Sequence, residues 1–169
     1  NKNMKRLLII MILLLSVSLT GCKSKEKVKL EDIYGKYYYK ECVFLSEQNL
    51  LKKESLDEMY KGVARYSLKE NSFTFYQSES STPTISIKNI NYQEVEIDYK
   101  IQTSKPKEIL KKCTTRYDVY REDVSQGYSF AFDGEKVYFI EFRYLGDNKH
   151  MVWNIFLLYC KDAVRACLP

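Results

Sequence analysis

The chain has 169 residues, with 27 basic and 22 acidic side chains and a formal charge of +5. Fifteen tyrosines and eight phenylalanines against six glycines and three prolines exclude a low-complexity or collagen-like chain and favour strands. There is one histidine, no Cys-x-x-Cys spacing, and no glycine-rich phosphate loop, Gly-x-Ser-x-Gly elbow or kinase signature, so neither catalytic residues nor a metal or cofactor are expected.

The N-terminus divides into three zones. Lys5 and Arg6 precede a nearly unbroken apolar run over residues 7–17. A spanning helix needs about 20 apolar residues, so this run predicts the helical core of a signal peptide. It closes on Leu19-Thr20-Gly21-Cys22. Together these residues resemble a bacterial lipoprotein signal peptide with its lipobox. The resemblance implies a diacylglycerol on the Cys22 sulfur, cleavage between Gly21 and Cys22, and anchoring at the outer face of a bacterial cell membrane. Two acyl chains hold a protein stably where one is marginal. Met4 is the expected natural start, with Asn1, Lys2 and Asn3 as extra sequence.

The organisation expected is a signal peptide over 1–21, a lipidated cysteine and flexible polar tether over 22–30, and one β-rich domain over 31–169. Loss of Lys2, Lys5 and Arg6 with no acid leaves 24 basic against 22 acidic side chains, a charge of +2. The electrostatic case for a nucleic-acid partner largely disappears with it.

Residues 38–45 form a β-rich run. Leu51, Leu56, Met59 and Tyr60 then recur at helical spacing and predict one short amphipathic helix over 49–61, with Gly62 as its stop. Runs 65–68 and 72–77 flank a turn at Lys69-Glu70-Asn71, and 84–90 follows a Ser/Thr/Pro linker. Residues 94–101 alternate strictly: Val95, Ile97, Tyr99 and Ile101 against Glu94, Glu96, Asp98 and Lys100. That pattern predicts a strand wet on one side.

A helical turn at 108–112 and a strand at 116–120 come next. Runs 128–132 and 135–144 surround Asp133-Gly134, a hairpin signal whose two central residues need positive φ. Gly146-Asp147-Asn148 gives another turn, and 151–160, apolar on both faces, predicts a buried last strand. The tail 162–169 changes composition, holding two of the four alanines. The fold expected is mainly β: an antiparallel meander of about seven to nine strands forming a barrel or barrel-like domain, with one short helix after the first strand. A two-sheet sandwich is the alternative.

Gly35-Lys36-Tyr37 opens the first strand. It resembles the Gly-x-Trp opening of lipocalin-like barrels, with Tyr37 where the tryptophan would stand. The resemblance implies an eight-stranded calyx whose apolar interior holds a small ligand. Tyr37, Tyr39, Phe73, Phe75, Tyr99, Phe130, Phe132, Phe142 and Trp153 are the residues expected to line it, or else to fill it as core. The partner expected is a small apolar ligand or an envelope protein. The alternative is a protein–protein interaction module acting through exposed tyrosines. Cys42, Cys113, Cys160 and Cys167 permit three full disulfide pairings or stand as free thiols. His150 is expected in an exposed turn. Cys22→Ser is expected to release the protein from membranes on cell fractionation; a variant of cleaved size that still sediments with membranes would overturn the lipobox reading.

Overall fold

The computed structural model describes residues 25–134 and 136–160. A 3-10 turn, Leu30–Ile33, leads into β1 (Gly35–Leu45), followed by α1 (Lys53–Tyr60), β2 (Arg65–Lys69), β3 (Ser72–Tyr76), β4 (Ile85–Lys88) and β5 (Asn91–Val95). Next come α2 (Ser104–Leu110), β6 (Thr115–Arg121), β7 (Val124–Asp133), β8 (Lys136–Gly146) and β9 (Lys149–Cys160). The strands make one antiparallel sheet in the order β4-β3-β2-β1-β9-β8-β7-β6-β5. The mainly β, barrel-like expectation holds, with two helices among the described residues rather than one.

The sheet curls because its inner face is aromatic. Phe73 of β3 and Phe130 of β7 have four strands between them in the sheet, yet their ring centroids are 5.5 Å apart. Tyr66 of β2 meets Phe139 of β8 at 4.9 Å. Alternate residues of each strand point inward, and the inward set forms a single buried cluster with Ile33 and Leu56.

The sheet does not close into the eight-stranded calyx implied by Gly35-Lys36-Tyr37. β4 and β5 are consecutive in sequence but lie at opposite edges, with no ladder between them. Side chains and one turn bridge the seam instead. Asn89 takes a left-handed φ of 56°, the Ile90 amide donates to the Asn71 carbonyl, and the Tyr92 hydroxyl donates to the Ser72 carbonyl. Ile90 and Tyr92 are both buried in the gap.

The central strands are also covered outside. The connection from β5 to β6 carries α2 across the outer face, where Ile101, Leu110 and Cys113 pack on Ala131, Tyr138, Ile140, Val152, Ile155 and Leu157. Hence β9 is apolar on both faces, as its sequence predicts. Pro106 sits in the first turn of α2, where its missing amide hydrogen costs no helical bond.

Three expectations need correction. The alternating run 94–101 is not one strand: β5 ends at Val95, and the chain turns, with Tyr99 N–H donating to Glu96 and Ile101 N–H to Asp98. The reason is Arg116, fully buried on the outward side of β6. Its Nη1 donates to the carbonyls of Ile97 (3.1 Å) and Tyr99 (2.7 Å), and its Nη2 to Ser129 Oγ (3.2 Å). Nη2 also pairs with Asp118 Oδ1 at 3.0 Å. The guanidinium needs carbonyl partners once desolvated, and the turn supplies them.

The hairpin at Asp133-Gly134 is shifted by one. Asp133 pairs with Lys136 as the last residue of β7, leaving Gly134, at φ 58°, as the first loop residue. A further hairpin escaped the sequence reading at Glu122-Asp123, both in the left-handed region, as are Asp147-Asn148. Such paired positive φ values define the tight turns whose twist suits antiparallel strands.

The expected flexible tether, 22–30, is docked from Lys25 onward. Val28 is buried, its amide donates to Thr115 Oγ1 (2.9 Å), and its carbonyl accepts from the Tyr117 hydroxyl (2.7 Å). Lys27 pairs with Glu94 and Lys25 with Asp133. The expected signal helix lies outside the described residues.

Arg116→Met is expected to cost about 3–5 kcal/mol of stability, because it leaves the Asp118 carboxylate buried without its cation. The double variant Arg116→Met/Asp118→Val should recover part of that loss, as read by urea unfolding.

Candidate functional site

The inner face carries a cavity beneath α1. Two contacts clamp α1 to β1: Asp57 Oδ1 accepts from the Tyr39 hydroxyl (2.5 Å) and from the Cys42 amide (2.8 Å). Leu56 is buried, and the Tyr60 ring meets Tyr39, Phe75 and Phe156 edge-on at 5.4–6.0 Å. These contacts leave a space of about 230 Å³. Tyr66, Phe75, Phe139 and Phe156 supply its aromatic wall, and Glu141, Arg143, Trp153 and Asn154 its polar side.

A β-bulge builds that polar side. Asn154 pairs with Glu141, but the next partner of Phe142 is Val152, so Trp153 is the extra residue. Bulges re-aim side chains in this way. Asn154 Nδ2 donates to Glu141 Oε2 (2.9 Å), and Glu141 Oε1 pairs with Arg143 at 2.9 Å. The Arg143 guanidinium lies 5.3 Å from the Trp153 ring.

Two polar atoms are left over. The Tyr66 hydroxyl and Asn154 Oδ1 are buried with no hydrogen-bond partner, and both residues border the cavity. Tyr66 is 1% exposed and Asn154 5%. Burial pushes the Tyr66 phenol well above its usual value, with Tyr60 next among the causes, so it stays a neutral hydroxyl. An unpartnered buried polar atom costs about 1–3 kcal/mol. Asn154 Oδ1 can only accept, and the Tyr66 hydroxyl can donate or accept. The space therefore suits a group with an apolar body and an O–H or N–H.

Of the nine residues expected to line an interior, Tyr37, Tyr39, Phe73, Phe75, Phe130 and Phe132 do share the inner cluster. Only Phe75 of these six borders the cavity; the others are packed, with the Tyr37 hydroxyl bonded to the Ile33 carbonyl (2.6 Å). Trp153 borders it from the bulge. Tyr99 and Phe142 are corrections: both lie outside the curled sheet. Tyr99 stands 40% exposed in the turn that Arg116 holds, and Phe142 packs on the outer cluster 5.0 Å from that guanidinium.

Sequence reasoning missed Tyr60, Tyr66, Phe139, Phe156, Glu141 and Asn154. Period-two alternation gives the inward rings of β2, β8 and β9. Asn154 carries its own signal, a lone amide within the apolar run of the last strand.

The remaining reactive groups lie elsewhere. Cys42 and Cys113 are free and buried in the inner and outer clusters respectively. Burial pushes their thiols up to about 11 and about 12, so they remain protonated. Cys160 is disulfide-bonded. His150 is the second residue of β9 rather than part of a turn, with its ring 5.4 Å from Tyr144. Among the described residues, no group of three or more His, Cys, Asp or Glu side chains could hold a metal ion. Gly21, Cys22 and Cys167 lie outside the described residues.

Tyr66→Phe removes the orphaned hydroxyl. It is expected to raise the unfolding free energy of the ligand-free protein by about 1 kcal/mol, measured by chemical denaturation. No protein-family model, curated protein or solved structure matches the chain, so the site is read from its own geometry.

Proposed function

We propose that this is a lipid-anchored protein of the bacterial cell envelope, held at the outer face of the cell membrane by a diacylglycerol on Cys22. Its half-barrel binds a small, largely apolar ligand beneath α1 and catalyses no reaction. The observation that carries the binding role is the pair of unpartnered buried atoms, Tyr66 Oη and Asn154 Oδ1, beside an aromatic cavity. Folding tolerates such atoms poorly unless something pairs with them. At about 230 Å³ the cavity is smaller than the usual 300–1,000 Å³ of drug-sized sites. It takes a small molecule or one ring of a larger one.

Trp153, the only tryptophan, borders the cavity and reports on its occupancy. Titration with 1-naphthol, an aromatic body with one hydroxyl, is expected to change Trp153 emission saturably. 1-Methylnaphthalene, which lacks the hydroxyl, should bind about tenfold more weakly, the equivalent of one hydrogen bond. Tyr66→Phe should weaken naphthol binding while keeping the fold intact. No saturable change, or equal affinity for the two probes, would overturn the reading.

A second reading, an interaction module, is favoured by exposed apolar side chains near the β8–β9 hairpin. Tyr144 is 64% and Leu145 54% exposed there. Aromatic anchors of this kind are enriched at interfaces.

A further inference from the structure

The outer face of β1–β4 is unlike the outer face of the central strands. Among the described residues, α2 and its flanks cover β7–β9 and reach only the second half of β1, where Val43 and Phe44 pack on the outer cluster; a groove remains over the start of β1 and over β2 and β3. Alternation places Lys36 and Tyr38, then Arg65, Ser67 and Lys69, then Ser72, Thr74 and Tyr76, then Ser86 and Lys88 on this side. The set contains four cations, hydroxyls and tyrosines. These ten residues include no carboxylate and no aliphatic side chain; past the β1 bulge the face changes, with Glu41 opposite Leu157 and Val43 packed on the outer cluster.

A groove of about 440 Å³ runs over β1–β3, with Lys36, Arg65 and Lys69 in its lining; Lys88 lies past its end, in a neighbouring hollow with Arg121 and Glu122. Arg65 builds one wall. Its Nη1 donates to the Ser78 carbonyl and its Nη2 to the Ser80 carbonyl, both at 2.8 Å, which fixes the loop over residues 77–84 beside the face. The same guanidinium lies 4.2 Å from the Tyr76 ring.

Register sets the cations in place. Lys36 pairs with Ser67, two residues from Lys69, and Lys69 pairs with Ser72, which pairs with Lys88. Lys69 and Lys88 are thus two strands apart, about 10 Å at the usual strand spacing. None of the three lysines joins an ion pair among the described residues.

We propose that this groove binds a phosphate-bearing glycan or polyol chain. Carboxylates are best matched by a free arginine fork, and the one arginine here already spends both terminal nitrogens on the 77–84 loop. Lysines remain, as point charges suited to successive phosphates. Ser67, Ser72 and Thr74 meet sugar or polyol hydroxyls between them. This site is separate from the cavity beneath α1, on the opposite face of the sheet, and it stands whatever that cavity binds.

The test is calorimetric titration of the purified protein with poly(glycerol phosphate), neutral dextran and an oligothymidylate, together with sedimentation on phosphatidylglycerol vesicles. Poly(glycerol phosphate) is expected to bind, with affinity falling as salt rises. Dextran and oligothymidylate should bind at least tenfold more weakly, showing that neither sugar nor charge alone suffices. The variant Lys36→Gln/Lys69→Gln/Lys88→Gln should lose about tenfold in affinity with an unchanged unfolding midpoint, since these side chains are exposed. Oligothymidylate binding as tightly as the polymer would overturn the proposal in favour of charge alone. So would a lysine variant that changes vesicle sedimentation but not polymer binding, or one that binds the polymer unchanged.

Discussion

Phe139 is the point on which this fold turns. Its ring contacts those of Tyr66, Phe73, Tyr128, Phe130 and Phe156, which come from four other strands. A flat nine-stranded sheet would leave these rings in water. Burying them against one another requires the sheet to curl until β2 and β3 face β7 and β8. Aromatic burial of this extent outweighs any single hydrogen bond in the structure. The curl then sets the rest. It stops short of closure, leaving an opening that α1 covers from one side and Ile90 and Tyr92 fill from another.

The two faces of the sheet are treated differently along its length. Over the central strands the outer face is sealed by α2 and its flanking segments. That seal depends on Arg116, which ties the carbonyls of Ile97 and Tyr99 to Asp118 and Ser129 in a dry site. Over β2–β4 and the start of β1 no helix among the described residues lies on top, and the outward residues are lysines, an arginine, hydroxyls and tyrosines. A single sheet thus presents an aromatic pocket inside and a basic groove outside; Tyr66, whose ring is buried on the inner face, is the one residue common to both linings.

The docking of the segment from Lys25 bears on how the domain would sit in an envelope. On the proposed anchoring, only Lys23 and Ser24 separate the lipidated residue from a chain already pinned by Thr115, Tyr117, Glu94 and Asp133. Such a domain is held close to the bilayer. A long tether would instead let it sample a wide volume.

Much of the strand order was legible from residues alone. Runs rich in aromatic and β-branched residues, bounded by turn signals, located eight of the nine strands, because such side chains fit a pleated surface with at least one buried face. Turn chemistry located most hairpins. The run over 94–101 shows where local pattern fails: the same alternation serves a turn when a distant guanidinium claims its carbonyls, and nothing within those eight residues reveals Arg116. The site behaves likewise. The inward rings follow from alternation, but Tyr66 Oη and Asn154 Oδ1 are orphans only because a bulge and the lie of α1 keep other partners away. The sequence by itself determined most of the strands, the amphipathic helix and the aromatic character of one face, since these depend on near neighbours. Only the tertiary structure decided where the sheet opens, which face is covered and which polar atoms are left unpaired, since each depends on contacts between residues far apart in the chain.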